Sequence, residues 1–334
     1  MSDTRHGSYT FADFRLQSGE VMPQVTLAYC TRGTLAPDGR NAVLVTHGYT
    51  SGHRMIEPGA GSSEGAWSEL VGPGAPIDTE SSFVVCSNML GSSYGSTNAA
   101  SSDPRTGRPY GSQFPRITVA DIVTAQRALL RQLGVQHLRA VVGPSYGGFQ
   151  AFQWAVSFPD DMDGIVPVVT APRVQAGDRV ARLLARFAAN PNWHGGDYYD
   201  TPGMGETMLA IRMETLRNYG MSVPEAELTR IASAWASQFD ANSLLILARA
   251  MESFDVTPSL NRIRVPVLYV LSRTDELFPP SLAPEVMAML HKAGVDASYV
   301  EIDSEHGHLA SGTDAGKWAP ALREFMAVLS SRGA

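Results

Sequence analysis

The chain has only two cysteines, Cys30 and Cys86, among its 334 residues. So few thiols exclude a disulfide framework, and Cys86, inside the apolar run Phe83-Val84-Val85-Cys86, reads as a buried free thiol. No apolar run approaches the roughly 20 residues that a spanning helix needs, and the polar start Met1-Ser2-Asp3-Thr4-Arg5-His6-Gly7 has no apolar core of a signal peptide. Cytoplasmic residence and no membrane partner are therefore expected. Clustered Lys and Arg are also missing from a chain of net charge −7, which removes the electrostatic footprint of a nucleic-acid or anionic-lipid binder. The Gly-rich stretch Gly59-Ala60-Gly61-Ser62-Ser63 lacks the Gly-Lys-Ser/Thr ending of a phosphate cradle and reads as a surface loop. Small molecules remain as the expected substrates.

What is present is the composition of an ordinary globular protein, 44% hydrophobic and 18% charged, long enough for one core with an insertion. Short apolar runs alternate with helical patterns, as in an α/β protein with a mostly parallel sheet. Ala42–Val45, Phe83–Cys86, Leu138–Val142, Ile165–Val169, Val267–Leu271 and Ser298–Ile302 are predicted strands. Val119–Leu133, ending at Gly134, the segment after Gly147 and Trp318–Leu329 are predicted helices. From about Arg173 to Leu260 the alternation stops and the chain becomes rich in Ala, Leu, Met and Arg. The expected organisation is a core of residues 1–172 and 261–334, with a helical cap at 173–260 inserted after the sixth strand.

The chemistry centres on Gly143-Pro144-Ser145-Tyr146-Gly147, a G-x-S-x-G motif between a predicted strand and a predicted helix. That is the setting of a nucleophile elbow, so an α/β-hydrolase fold is expected. A serine hydroxyl is a weak nucleophile at neutral pH and needs an imidazole base oriented by a carboxylate. The loop after Val267–Leu271 offers Asp275, with Glu276 as a substitute, and the loop after Ser298–Ile302 offers His306 and His308. Gly307 gives the backbone freedom to aim His308, which is the preferred base. A metal site on His306 and His308 finds no third ligand at recognisable spacing, so no metal is expected. The oxyanion of acyl transfer needs two backbone N–H donors, here those of Tyr49 and Tyr146.

These residues resemble the homoserine O-acetyltransferase family of α/β-hydrolases, from about Tyr9 to the last helix. The resemblance is carried by Leu70-Val71-Gly72-Pro73-Gly74-Ala75-Pro76-Ile77-Asp78-Thr79, Cys86 to Thr97, Tyr110 to Pro115, the elbow with Gly148-Phe149-Gln150-Ala151, Asn192 to Tyr199, and Asp275 to Pro280. It places the base at His308. It implies ping-pong acyl transfer from acetyl-CoA to the homoserine hydroxyl and a homodimer formed through the cap helices. It also implies that Arg212 and Tyr219 contact the homoserine carboxylate region.

Three departures matter. The family's Gly-His-Asp-Ala-Phe-Leu, whose aspartate pairs with the homoserine ammonium, is here Gly307-His308-Leu309-Ala310-Ser311-Gly312. The family's Leu-Thr-Gly-Asp after the third strand is Tyr49-Thr50-Ser51-Gly52, and the cap is shorter. An ammonium left beside Leu309 without its counter-ion loses at least a few kcal/mol, on the order of a hundredfold in affinity. Some relatives in this family hydrolyse short-chain esters. The expectation is therefore a carboxylesterase for acetyl-type esters with no cofactor; an O-acetyltransferase with acetyl-CoA as co-substrate is the alternative, and an inactive binding module a remote third.

Overall fold

The computed structural model of the chain describes residues 4–59 and 66–332. Ala60 to Ser63 of the expected surface loop lie outside the described residues. Among the described residues ten strands are formed: β1 (Arg5–Arg15), β2 (Val21–Arg32), β3 (Ala42–Thr46), β4 (Val71–Gly72), β5 (Ile77–Asp78), β6 (Phe83–Ser87), β7 (Leu138–Pro144), β8 (Ile165–Val168), β9 (Val267–Ser272) and β10 (Ala297–Ile302). Eight make one sheet in the order β1-β2-β6-β3-β7-β8-β9-β10; β4 and β5 pair separately. From β6 through β10 all pairings are parallel, whereas β1 and β2 form an antiparallel hairpin at one edge. Parallel strands covered on both faces read as continuous apolar runs, which is why Ala42-Val43-Leu44-Val45 was legible. Leu44 enters the core on one face, and Val43 and Val45 enter the core on the other.

Helices α1 (Val119–Gln132), α2 (Tyr146–Ser157) and α7 (Ala283–Lys292) contribute to the first core, and α8 (Ala310–Thr313) and α9 (Ala315–Arg332) to the second. A capping box between Thr118 and Asp121 starts α1 and satisfies N–H groups that have no acceptor inside the helix. Between β8 and β9 lie α3 (Arg179–Ala188), α4 (Gly205–Asn218), α5 (Glu225–Ala236) and α6 (Ala241–Glu252). Asp240 caps α6 by accepting from the Ser243 N–H at 2.6 Å, and the hydroxyls of Tyr198 and Tyr199 also donate to it. The Asn192–Tyr199 motif thus ties the α3–α4 connection to the start of α6. The β1–β2 hairpin had no sequence prediction. Most β1 side chains are exposed or half-buried, so its alternation lacks apolar contrast, and Pro23 inside β2 argues against a strand by removing a ladder donor.

Candidate active site

The loops that matter leave the carboxyl ends of β3, β7, β9 and β10, where open parallel sheets place their ligands. Ser145 sits between β7 and α2 with φ 54° and ψ −119°, a strained conformation for a residue with a Cβ. Four contacts over-determine it: its N–H donates to the Val168 carbonyl at 2.8 Å, and its own carbonyl accepts from Gly148 N–H and Thr170 Oγ1 at 2.9 Å each and from Phe149 N–H at 3.3 Å. The turn has no room for a side chain at Gly147, where a Cβ would stand 2.3 Å from the Thr46 carbonyl oxygen. Tyr146 is the first residue of α2, where an N–H has no intrahelical acceptor.

Asp275 and His308 meet at 2.8 Å, Oδ2 to Nδ1, both fully buried. Asp275 Oδ1 accepts from the N–H groups of Leu277 and Phe278 at 2.8 and 3.2 Å, which fixes the carboxylate plane. Glu276 and His306, the alternatives in the sequence, are exposed. Gly307 has φ 53°, so the left-handed turn that delivers His308 does require the glycine. The imidazole is held between rings: Tyr219 at 4.9 Å and Phe278 stacked at 5.8 Å. Its Nε2 is buried with no hydrogen-bond partner among the described residues.

Ser145, Tyr49, Tyr146 and Tyr219 line a cavity of about 660 Å³. Phe149, Leu244, Met251, Phe278 and Val286 are among its apolar lining residues. The Tyr49 and Tyr146 rings stack at 6.1 Å, and their hydroxyls donate to the Leu244 and Leu247 carbonyls of α6 at 2.6 and 3.3 Å. Burial pushes the Tyr146 phenol well above its ordinary range, so it stays a donor. Just before Tyr49, the buried His47 accepts from the Met89 N–H at 3.0 Å through Nε2 and contacts the Gly48 carbonyl at 2.9 Å through Nδ1. Burial lowers its pKa to about 4, so the ring is neutral and locks the β3 and β6 loops together.

Arg212 is 1% exposed. One terminal nitrogen donates to Thr50 Oγ1 at 2.5 Å, the guanidinium lies 5.1 Å from the Trp235 ring, and Nε has no hydrogen-bond partner among the described residues. Thr50 lines the cavity, so this charge stands directly behind its wall. Leu309 is buried and does not contribute to the lining. Among the lining residues that no motif singled out are two acids, Glu214 of α4 and Glu285 of α7, brought to one cavity from 71 residues apart. Only the fold makes them neighbours, and no spacing in the chain signals it. Among the described residues no group of three or more His, Cys, Asp and Glu could hold a metal ion. No helix there is long and apolar enough to cross a membrane.

A family profile for the alpha/beta hydrolase fold matches residues 41–315. The homoserine O-acetyltransferase of Geotalea daltonii is 35% identical, over 96% of this chain and 96% of its own length. The chain belongs to the homoserine O-acetyltransferase family of α/β-hydrolases. The Pelobacter propionicus homoserine O-acetyltransferase is 33% identical over 100% of this chain and 99% of its own. Among solved structures, the esterase E22 has a TM-score of 0.88 at 25% identity, covering 97% of this chain and 100% of that one. The Bacillus anthracis homoserine O-acetyltransferase, with a TM-score of 0.87 at 24% identity over 98% of each chain, shows the shared fold.

These relatives overturn the carboxylesterase expectation. Curated acetyltransferases of this family align over essentially the whole chain at 35% and 33% identity. The weakness of the expectation was to let a few local departures, above all Leu309 beside the base, outweigh a similarity that runs through the whole chain.

Proposed function

We propose that the chain is an O-acetyltransferase that moves an acetyl group from acetyl-CoA to the hydroxyl of homoserine through an acetyl-Ser145 intermediate. Full-length similarity to the curated transferases carries the reading. The buried His308–Asp275 pair and the strained Ser145 support the mechanism. Ser145 Oγ attacks the thioester carbonyl and its proton passes to His308 Nε2. The N–H groups of Tyr49 and Tyr146 stabilise the oxyanion, and His308 returns the proton to the departing thiol. The acceptor hydroxyl then gives its proton to His308 and attacks the acetyl-enzyme, and the proton goes back to Ser145 Oγ as the ester leaves. Asp275 holds the tautomer with Nε2 free. Acetyl-CoA is a co-substrate in this scheme, and the balanced steps need no resident cofactor or metal.

On this reading Arg212 is the counter-charge for the acceptor carboxylate, because a buried guanidinium with an unmet Nε favours an anion. Tyr219 packs over the base and shapes the acceptor site. The helices of residues 173–260 act as a cap and as the homodimer contact, and residence is cytoplasmic. Sedimentation of the purified protein checks the dimer, and a monomer at micromolar concentration would refute it. The main test incubates the enzyme with acetyl-CoA and homoserine and follows thiol release and O-acetylhomoserine together. Thiol release matched by product supports the reading. Acetyl-enzyme that reacts only with water overturns it.

A further inference from the structure

Ser145 is 7% exposed, whereas the same cavity is also lined by Arg173, Arg179 and Arg182, all exposed, and by the half-buried Arg186, with Glu214 and Glu285 as the acidic residues of the lining. This positive excess stands in a chain whose net charge is −7. Arg179, Arg182 and Arg186 fall at positions i, i+3 and i+7 of α3 and so share one face of the helix. Arg179 and Arg182 are exposed and Arg186 half-buried, which puts this face at the open end of the cavity.

The pairing of these charges is uneven. Arg173 meets Glu285 at 2.7 Å, and Arg186 meets Glu214. Arg182 meets Asp178, which belongs to its own turn and lies outside the cavity. Arg179 has no acidic partner among the described residues; its guanidinium touches Met251 Sδ at 3.7 Å. From Arg179 to Arg186 the helix rises about 10 Å, enough to span separated phosphates rather than a single one. Guanidinium forks suit phosphate oxygens, and exposed ones attract a polyanion without a large desolvation cost.

We propose that the arginine face of α3 is a polyphosphate site that holds the nucleotide end of the acyl donor at the cavity mouth, while its uncharged arm carries the thioester inward to Ser145. The inference rests on the acetyl-CoA reading and deepens it: the donor class is a thioester with several separated phosphates, and Arg179 and Arg182 are its specificity-determining residues. Short, phosphate-free thioesters reach the same serine without that anchor.

The test compares acetyl-CoA with acetyl-pantetheine, which lacks the phosphates, as donors to the full-length enzyme and to the double variant Arg179→Glu/Arg182→Glu, reading thiol release. The kcat/KM ratio of acetyl-CoA over acetyl-pantetheine falls about tenfold or more in the variant, and the loss shrinks at high salt as the charges are screened. Both positions are exposed, so the variant retains the wild-type melting profile. An unchanged ratio, or a wild type that uses both donors equally well, overturns the polyphosphate site and leaves the transferase reading standing. A wild type that a fluorophosphonate labels at Ser145 but neither thioester acylates overturns the acetyl-CoA reading, and this inference with it.

Discussion

Replacing Arg212 by methionine should make the protein more stable and a worse transferase. The guanidinium is 1% exposed, and the fold compensates it with one hydrogen bond to Thr50 and the face of Trp235. A charged hydrogen bond contributes about 1.5–3 kcal/mol and a desolvated cation–π contact about 2. Against them stands a desolvation cost of several kcal/mol for an ion with no carboxylate beside it. Methionine fills a similar volume without that cost, so a gain of about 1–2 kcal/mol follows, read as a rise of a few degrees in melting temperature. On the acceptor side, losing the carboxylate contact costs about 1.5–3 kcal/mol, or roughly 10- to 150-fold in kcat/KM for homoserine. Melting curves and steady-state acceptor kinetics on the same preparation measure both. A destabilisation of 3 kcal/mol or more would show that the fold itself completes this charge, and an unchanged homoserine KM would remove Arg212 from the acceptor site.

Ser145→Ala should abolish fluorophosphonate labelling and acetyl-enzyme formation with little loss of stability; labelling that persists would move the nucleophile elsewhere. Asp275→Asn should lower turnover by about 10⁴-fold through the wrong histidine tautomer, and a loss below tenfold would contradict that role. Gly147→Ala drives a Cβ against the Thr46 backbone, and a destabilisation of about 2–3 kcal/mol is expected from denaturant melts. His47, neutral when folded with a pKa of about 4, takes up a proton on unfolding below its ordinary value of about 6.5. Its contribution is complete above that value and is lost as pH falls toward 4, about 2 kcal/mol between pH 7 and pH 5. His47→Gln should flatten that part of the urea-monitored pH profile, and an equally steep profile would refute the assignment.

The parts of the molecule legible in the sequence are those where local chemistry is sufficient. Five of the six predicted strands, β3, β6, β7, β8 and β9, announce themselves as apolar runs because both of their faces are covered, whereas the edge strand β10 is mostly half-buried or exposed. Ser145 is visible because a strained turn between strand and helix tolerates little beside it but glycine. Asp275 and His308 are visible because each follows a predicted strand, β9 and β10. The β1–β2 hairpin carried no comparable signal, since its outer strand is half solvated and its inner one contains Pro23. The acceptor site was the least legible. Reading it from the residue next to His308 assumed that sequence adjacency decides what reaches the substrate, while the cavity is walled by α3, α4, α6 and α7 together. Contacts such as that of Arg212 with Thr50, 162 residues away, have no local signature.

The hydroxyls of Tyr49 and Tyr146 fasten α6 to the two residues that carry the proposed oxyanion donors, and Trp235 of α5 adds a bond to the Thr50 carbonyl at 2.9 Å. Helices α5 and α6, riveted at these points, cannot lift from the serine without pulling the donors out of place. Traffic to Ser145 therefore runs through a standing channel rather than a swinging door. Encounter with the acetyl donor is then set by diffusion and by the charge at the entrance, and no opening step should appear in presteady-state acylation.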